Sequence, residues 1–100
     1  MTQVQDNAER QRYELQTPQG TAIAAYHDDG GKRVFTHTEV PEALEGQGVG
    51  SQLVQAALDD ARQQGLQVVP ECPFVADYIE RHEEYQDLVP PEAWEGLGRS

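Results

Sequence analysis

The stretch "LEGQGVGSQLV", residues 44–54, decides how the rest of the chain is read. Gly46, Gly48 and Gly50 stand at alternate positions directly before an amphipathic run. Glycine is costly to order, so such a cluster marks an unusual backbone conformation or a close approach that a side chain would block. From Val49 onward the period turns helical. Val49, Leu53, Ala57, Leu58 and Ala61 recur on one face, while Gln52, Gln55, Asp59, Asp60 and Gln63 fall outward. Gly65 then supplies a stop, as a left-handed C-terminal cap does.

Upstream of the glycines the pattern is strand-like. "KRVFTHTEV" is rich in β-branched and aromatic residues and is ended by Pro41. "DDGG" separates it from "TAIAAYH", which predicts a hairpin. Tyr13 and Leu15 alternate with polar residues in a weaker strand, closed by Pro18-Gln19-Gly20. Three short antiparallel strands are therefore expected to open the domain. Downstream, "LQVVPECPFV" reads as a buried strand broken by Pro70 and Pro73 around Cys72. A strand, a crossover helix and a strand place this last strand parallel to the one before the glycines. "VADYIERHEEY" puts Val75, Tyr78, Ile79 and His82 on one face of a second, shorter helix. The fold class is α/β. Residues 1–9 lack periodicity and read as a flexible leader, residues 10–89 as the domain, and residues 90–100 as a weakly ordered tail carrying Trp94.

Composition narrows the function. One hundred residues make one domain, and 37% hydrophobic content makes its core thin, which makes a homodimer attractive although no patch identifies one. Seven basic residues against eighteen acidic ones give a net charge of −11, which argues against nucleic acid and anionic membranes as partners. Such a field suits an amine-bearing partner, although acidity also serves solubility. The single cysteine, Cys72, excludes an internal disulfide and fits a reducing, cytoplasmic setting. No apolar run reaches the length of a membrane span, and the first residues carry no secretory signal.

A helix start presents unpaired N–H groups and the positive end of its dipole. Glycines ahead of it let an anion reach the main chain, and a phosphate is the usual occupant. "EGQGVGS" is thus a candidate phosphate cradle, with Gly46, Gly48 and Gly50 giving access and Gln47 through Ser51 giving amides. Plain turn geometry explains such glycines equally well. The P-loop is excluded because no Gly-Lys-Ser/Thr follows. The dinucleotide fingerprint is excluded because Ser51 takes its third glycine's place and the chain is too short for the parallel sheet it needs.

From about Val34 to Val89, the segments "HTEVP", "GQGVGSQLV" and "VVPECPFV…YIERH" resemble the small, single-domain branch of the GCN5-related N-acetyltransferase superfamily, the YjdJ type. The resemblance implies that the Gly46–Ser51 loop binds the pyrophosphate of coenzyme A and that the pantetheine arm lies beside the strand near Thr38 and Val40. Glu45 departs from the Gln or Arg that the family's loop carries at its first position. Acetyl-CoA would be the co-substrate and an amine the acceptor. The resemblance also implies catalytic roles for Cys72 and His37.

In "HTEV", His37 and Glu39 share one face of the strand, and either can serve as base. One mechanism has Cys72 accept the acetyl group after His37 deprotonates it. The other is direct attack by the amine, with His37 or Glu39 as base. Tyr78 is a candidate proton donor to the departing sulfur, or else a core residue beside Val75 and Ile79. His27 and His82 have no ligand-like spacing to His37 or Cys72, so no metal site is expected. Two other function classes stay open here: a coenzyme A binding module without turnover, and an interaction protein using its acidic surface.

Overall fold

The strand signals become one five-stranded sheet of order β1-β2-β3-β4-β5 in a computed structural model that describes residues 4–96, with side chains to residue 93. The strands are β1 (Val4–Asn7), β2 (Arg12–Thr17), β3 (Gly20–Asp29), β4 (Lys32–Glu39) and β5 (Gln67–Pro70). Neighbours β1 to β4 are antiparallel, and β4 pairs with β5 in parallel, as the crossover through α1 (Val49–Gln63) requires. The β3–β4 hairpin turns on Gly30 and Gly31, whose φ values of 56° and 83° suit the two-residue turn that matches strand twist.

Helix α1 lies over one face of the sheet. Ala57 and Ala61 on the helix and Ala22 and Ala24 on β3 are fully buried, and their small side chains let the layers approach closely. Leu53, Val54 and Leu58 fill the flanks against Tyr13, Leu15, Tyr26 and Phe35. The helix ends as expected: Gly65 takes φ +73° and Leu66 N–H returns to the Ala61 carbonyl. Helix α2 (Pro73–Arg81) packs on the same side, burying Val75, Tyr78 and Ile79, and a 3₁₀ segment, Glu83–Leu88, adds Tyr85 and Leu88 to the same core. None of the described helices is long and apolar enough to cross a membrane.

Two boundary readings need correction. Residues 4–7, expected within a loose leader, form an edge strand paired with Arg12–Leu15. Val4 packs on the core, and Asp6 accepts a hydrogen bond from the Tyr26 hydroxyl. The antiparallel strands therefore number four rather than three. Likewise Pro91–Gly96, placed in a weakly ordered tail, forms the short helix α3. Pro90, Glu92 and Ala93 wall a cleft of about 460 Å³ with Lys32, Val69 and Glu71. The side chain of Trp94 and residues 97–100 lie outside the described residues.

The sequence reading also passed over a buried cation. Arg33, 5% exposed, forks onto both Asp28 oxygens at 2.8 Å and donates to the Tyr13 hydroxyl at 2.7 Å. Tyr13 donates in turn to Asp60 on α1. Asp6 and Asp60 oxygens stand 3.8 and 3.7 Å from the guanidinium, which also lies over the Tyr26 ring. Burial, then the bond to Asp60, holds the Tyr13 hydroxyl far above its ordinary range, so it stays protonated and keeps donating. One cation thus ties β1, β3 and β4 to α1.

Candidate active site

Strand β4 contains one residue more than β3 opposes. Ala25 pairs with His37 and Tyr26 with Phe35, which leaves Thr36 as the extra residue of a β-bulge. Side chains alternate along a strand, so strict alternation from Phe35 would send His37 to the helical side. The bulge reverses this. Thr38, opposite the buried Ala24, faces the helices, while His37 and Glu39, opposite Ala25 and Ile23, face the uncovered side of the sheet.

His37 and Glu39 meet as their spacing predicts, with Nε2 2.6 Å from a Glu39 oxygen and both side chains more than half exposed. A carboxylate only accepts, so it selects the tautomer with the proton on Nε2 and leaves Nδ1 as the free basic nitrogen. Cys72 lies on the other side. It is buried just before α2, and its N–H donates to the Phe35 carbonyl at 2.9 Å. Its Sγ is 3.2 Å from the Thr38 hydroxyl. No hydrogen bond joins it to His37. The expected cysteine–histidine pairing is not formed, because the bulge turns consecutive residues of β4 to opposite faces.

The glycine loop answers for each glycine separately. Gly46 (φ +84°) and Gly48 (φ +78°) adopt left-handed backbone that other residues avoid, and Gly48 flanks the first turn of α1. At Gly50 the space is already taken: a Cβ there would lie 2.5 Å from Cζ of Phe74. No acceptor among the described residues receives the N–H groups of Gly48, Val49, Gly50 or Ser51; the first helical bond runs from Gln52 to Gly48. Gln47 is different. Its N–H already donates to the Leu44 carbonyl and its side-chain amide to Ala43, so it leaves the expected set of cradle donors.

These amides open into a cleft of about 330 Å³ lined by Val40, Leu44, Glu45, Val49, Ser51 and Phe74 together with the glycines. The cleft begins where β4 loses its second neighbour. Pairing with β5 stops at Phe35–Pro70, whereas β4 continues to Glu39 beside β3 alone. Val40 therefore sits at the cleft and Thr38 between it and Cys72. Tyr78 does not join this group. Its ring stacks on His82 at 3.9 Å and tilts against Tyr85 at 6.0 Å, and burial with nearby Glu84 and Asp59 raises its pKa. Phe74, the large apolar side chain left 40% exposed, is the site residue that sequence reading missed. A lone Phe after Pro73 carries no periodic signal; only its contact with Gly50 singles it out.

Comparison with known proteins agrees with this architecture. A family profile described as GCN5-related N-acetyltransferase matches residues 12–88. An NMR solution structure from Staphylococcus aureus, assigned as a GCN5-like N-acetyltransferase, is similar over 88% of this chain and 87% of its own, at 25% identity and a TM-score of 0.70. The profile spans β2 through the segment after α2, the part of the chain that holds the glycine loop, the bulged strand and Cys72. The chain belongs to the GCN5-related N-acetyltransferase family and is an acyltransferase by that membership.

Proposed function

We propose that this protein transfers the acetyl group of acetyl-CoA to an amine by direct attack. The observation that carries this reading is the set of four unengaged amides, Gly48 to Ser51, opening at a helix start into the cleft beside Val40. In this reading the amides hold the diphosphate, and the pantetheine arm runs along β4 toward Thr38. The acceptor approaches on the uncovered face, where His37 Nδ1 takes the proton of the attacking nitrogen and Glu39 steadies the imidazole. The nitrogen bonds to the thioester carbon, the C–S bond breaks, and coenzyme A leaves as a thiolate that takes a proton from water.

Direct attack is favoured over an acetyl-cysteine intermediate. Cys72 is buried against Thr38, and no base among the described residues lies within hydrogen-bonding reach of its sulfur. The test is thiol release from acetyl-CoA across a panel of amines, with His37→Ala and Cys72→Ser beside the wild type. Direct attack requires that His37→Ala lose most of its turnover, on the order of 10²-fold or more. Cys72→Ser should remain active, with no acetyl adduct by intact mass in any variant. Coenzyme A binding without thiol release for any amine would instead mark a binding module.

A further inference from the structure

We propose that Phe74 is a positioning residue for the pantetheine arm of the coenzyme, a role that rests on the coenzyme assignment above. Two separate elements are shaped around its ring. On one side, Pro73 opens α2, and the Cys72 N–H to Phe35 carbonyl bond pins the residue before it to the sheet. The direction in which Phe74 leaves the backbone is thereby fixed. On the other side, α1 carries glycine at position 50, inside its first turn, where alanine would favour helix more than glycine does. The ring occupies the missing side chain's volume tip first: Cζ lies 2.5 Å from the virtual Cβ, and Cε1 and Cε2 are both 3.2 Å away.

The ring is seated yet not covered. Phe74 as a residue is 40% exposed, and it is among the residues that line the cleft at the amides. Two residues earlier in the chain, Cys72 marks the position of Thr38 on β4. Phe74 thus stands between the amides of α1 and the part of β4 beside Cys72. A linear molecule whose diphosphate sits on the amides and whose thioester reaches β4 runs across the open face of this ring. The arm covers it, and the ring holds the arm against Val40 instead of letting it trail into solvent.

The experiment compares coenzyme A with ADP, which carries a diphosphate and no arm. Wild type, Phe74→Ala and Phe74→Leu are titrated calorimetrically with coenzyme A, and ADP is measured by displacement of coenzyme A. Covering the exposed part of the ring corresponds to about a fivefold loss of coenzyme A affinity in Phe74→Ala. ADP affinity should stay within about twofold, and Phe74→Leu should restore most of the coenzyme A affinity. The selectivity between the two ligands is the decisive readout, because a general loosening of the cleft weakens both alike. Equal losses for both ligands, or an undiminished affinity for coenzyme A, overturn the proposal. A wild type that binds neither ligand overturns the coenzyme assignment itself, and this proposal with it.

Discussion

Gly50→Ala separates stability from binding at a single atom. The new methyl would arrive 2.5 Å from the tip of the Phe74 ring. Carbon atoms pack at about 3.5–4.0 Å, so the ring must retreat by about 1 Å or more. It can do so, because the clashing atom is the far end of a side chain that already reaches solvent. The helix gains from losing a glycine, by up to about 1 kcal/mol, and loses part of the ring contact, by a similar amount. The urea midpoint should therefore change by less than about 1 kcal/mol in free energy. Coenzyme binding should respond differently. The methyl and the displaced ring both enter a cleft of about 330 Å³. A loss of about tenfold, or ~1.4 kcal/mol, is expected in a calorimetric titration. Adding Phe74→Ala removes the clash, so the double variant should recover part of that loss and show coupling of about 1 kcal/mol. The reasoning fails if Gly50→Ala binds coenzyme A like the wild type. It fails equally if the variant loses more than about 2 kcal/mol of stability, since the ring would then be immovable.

Other outcomes follow from the same geometry. Arg33→Met leaves Asp6, Asp28 and Asp60 facing one another without their cation, and should cost about 3–5 kcal/mol in chemical denaturation. The Arg33 guanidinium holds the Asp28 carboxyl below the usual carboxylate range. Its contribution is therefore present above the ordinary carboxylate value and lost as pH falls through the lowered folded value. Denaturation midpoints of Asp28→Asn, followed from neutral to acidic pH, should fall less steeply than those of the wild type; equal slopes would exclude Asp28 as a source of acid sensitivity. Glu45 lines the cleft with a negative charge where diphosphate is proposed to sit. Glu45→Gln should tighten coenzyme A about two- to fivefold by calorimetry at low salt, an effect that vanishes if the carboxylate faces away.

Elements with a strong period were legible from sequence. The helical spacing of Val49, Leu53, Ala57, Leu58 and Ala61, and the Gly65 stop, gave α1 with its buried face. The Asp29–Lys32 turn and the parallel placement of β5 followed from turn chemistry and crossover geometry. Strand β1 was not legible. "VQDN" has one apolar residue and is held by Asp6 meeting Tyr26 and Arg33, partners that sequence spacing does not bring together. The His37–Glu39 contact came from simple alternation. The separation of His37 from Cys72 did not, because one unpaired residue reverses the alternation and no sequence signal marks Thr36 as that residue. The glycines were legible as a group, but only the structure distinguishes two that serve backbone conformation from one that yields space to a ring.

The supernumerary threonine gives the protein a parity. Two-residue alternation obliges each later side chain of the strand to exchange sides if that threonine is taken into the pairing. Excising Thr36 would leave Phe35 opposite Tyr26 and the imidazole opposite Ala25 as consecutive pairs of a regular ladder, with each later group on its present face. Which surface of the molecule carries the imidazole thus depends on one residue staying out of the ladder, and a register that absorbed it would reverse the two faces.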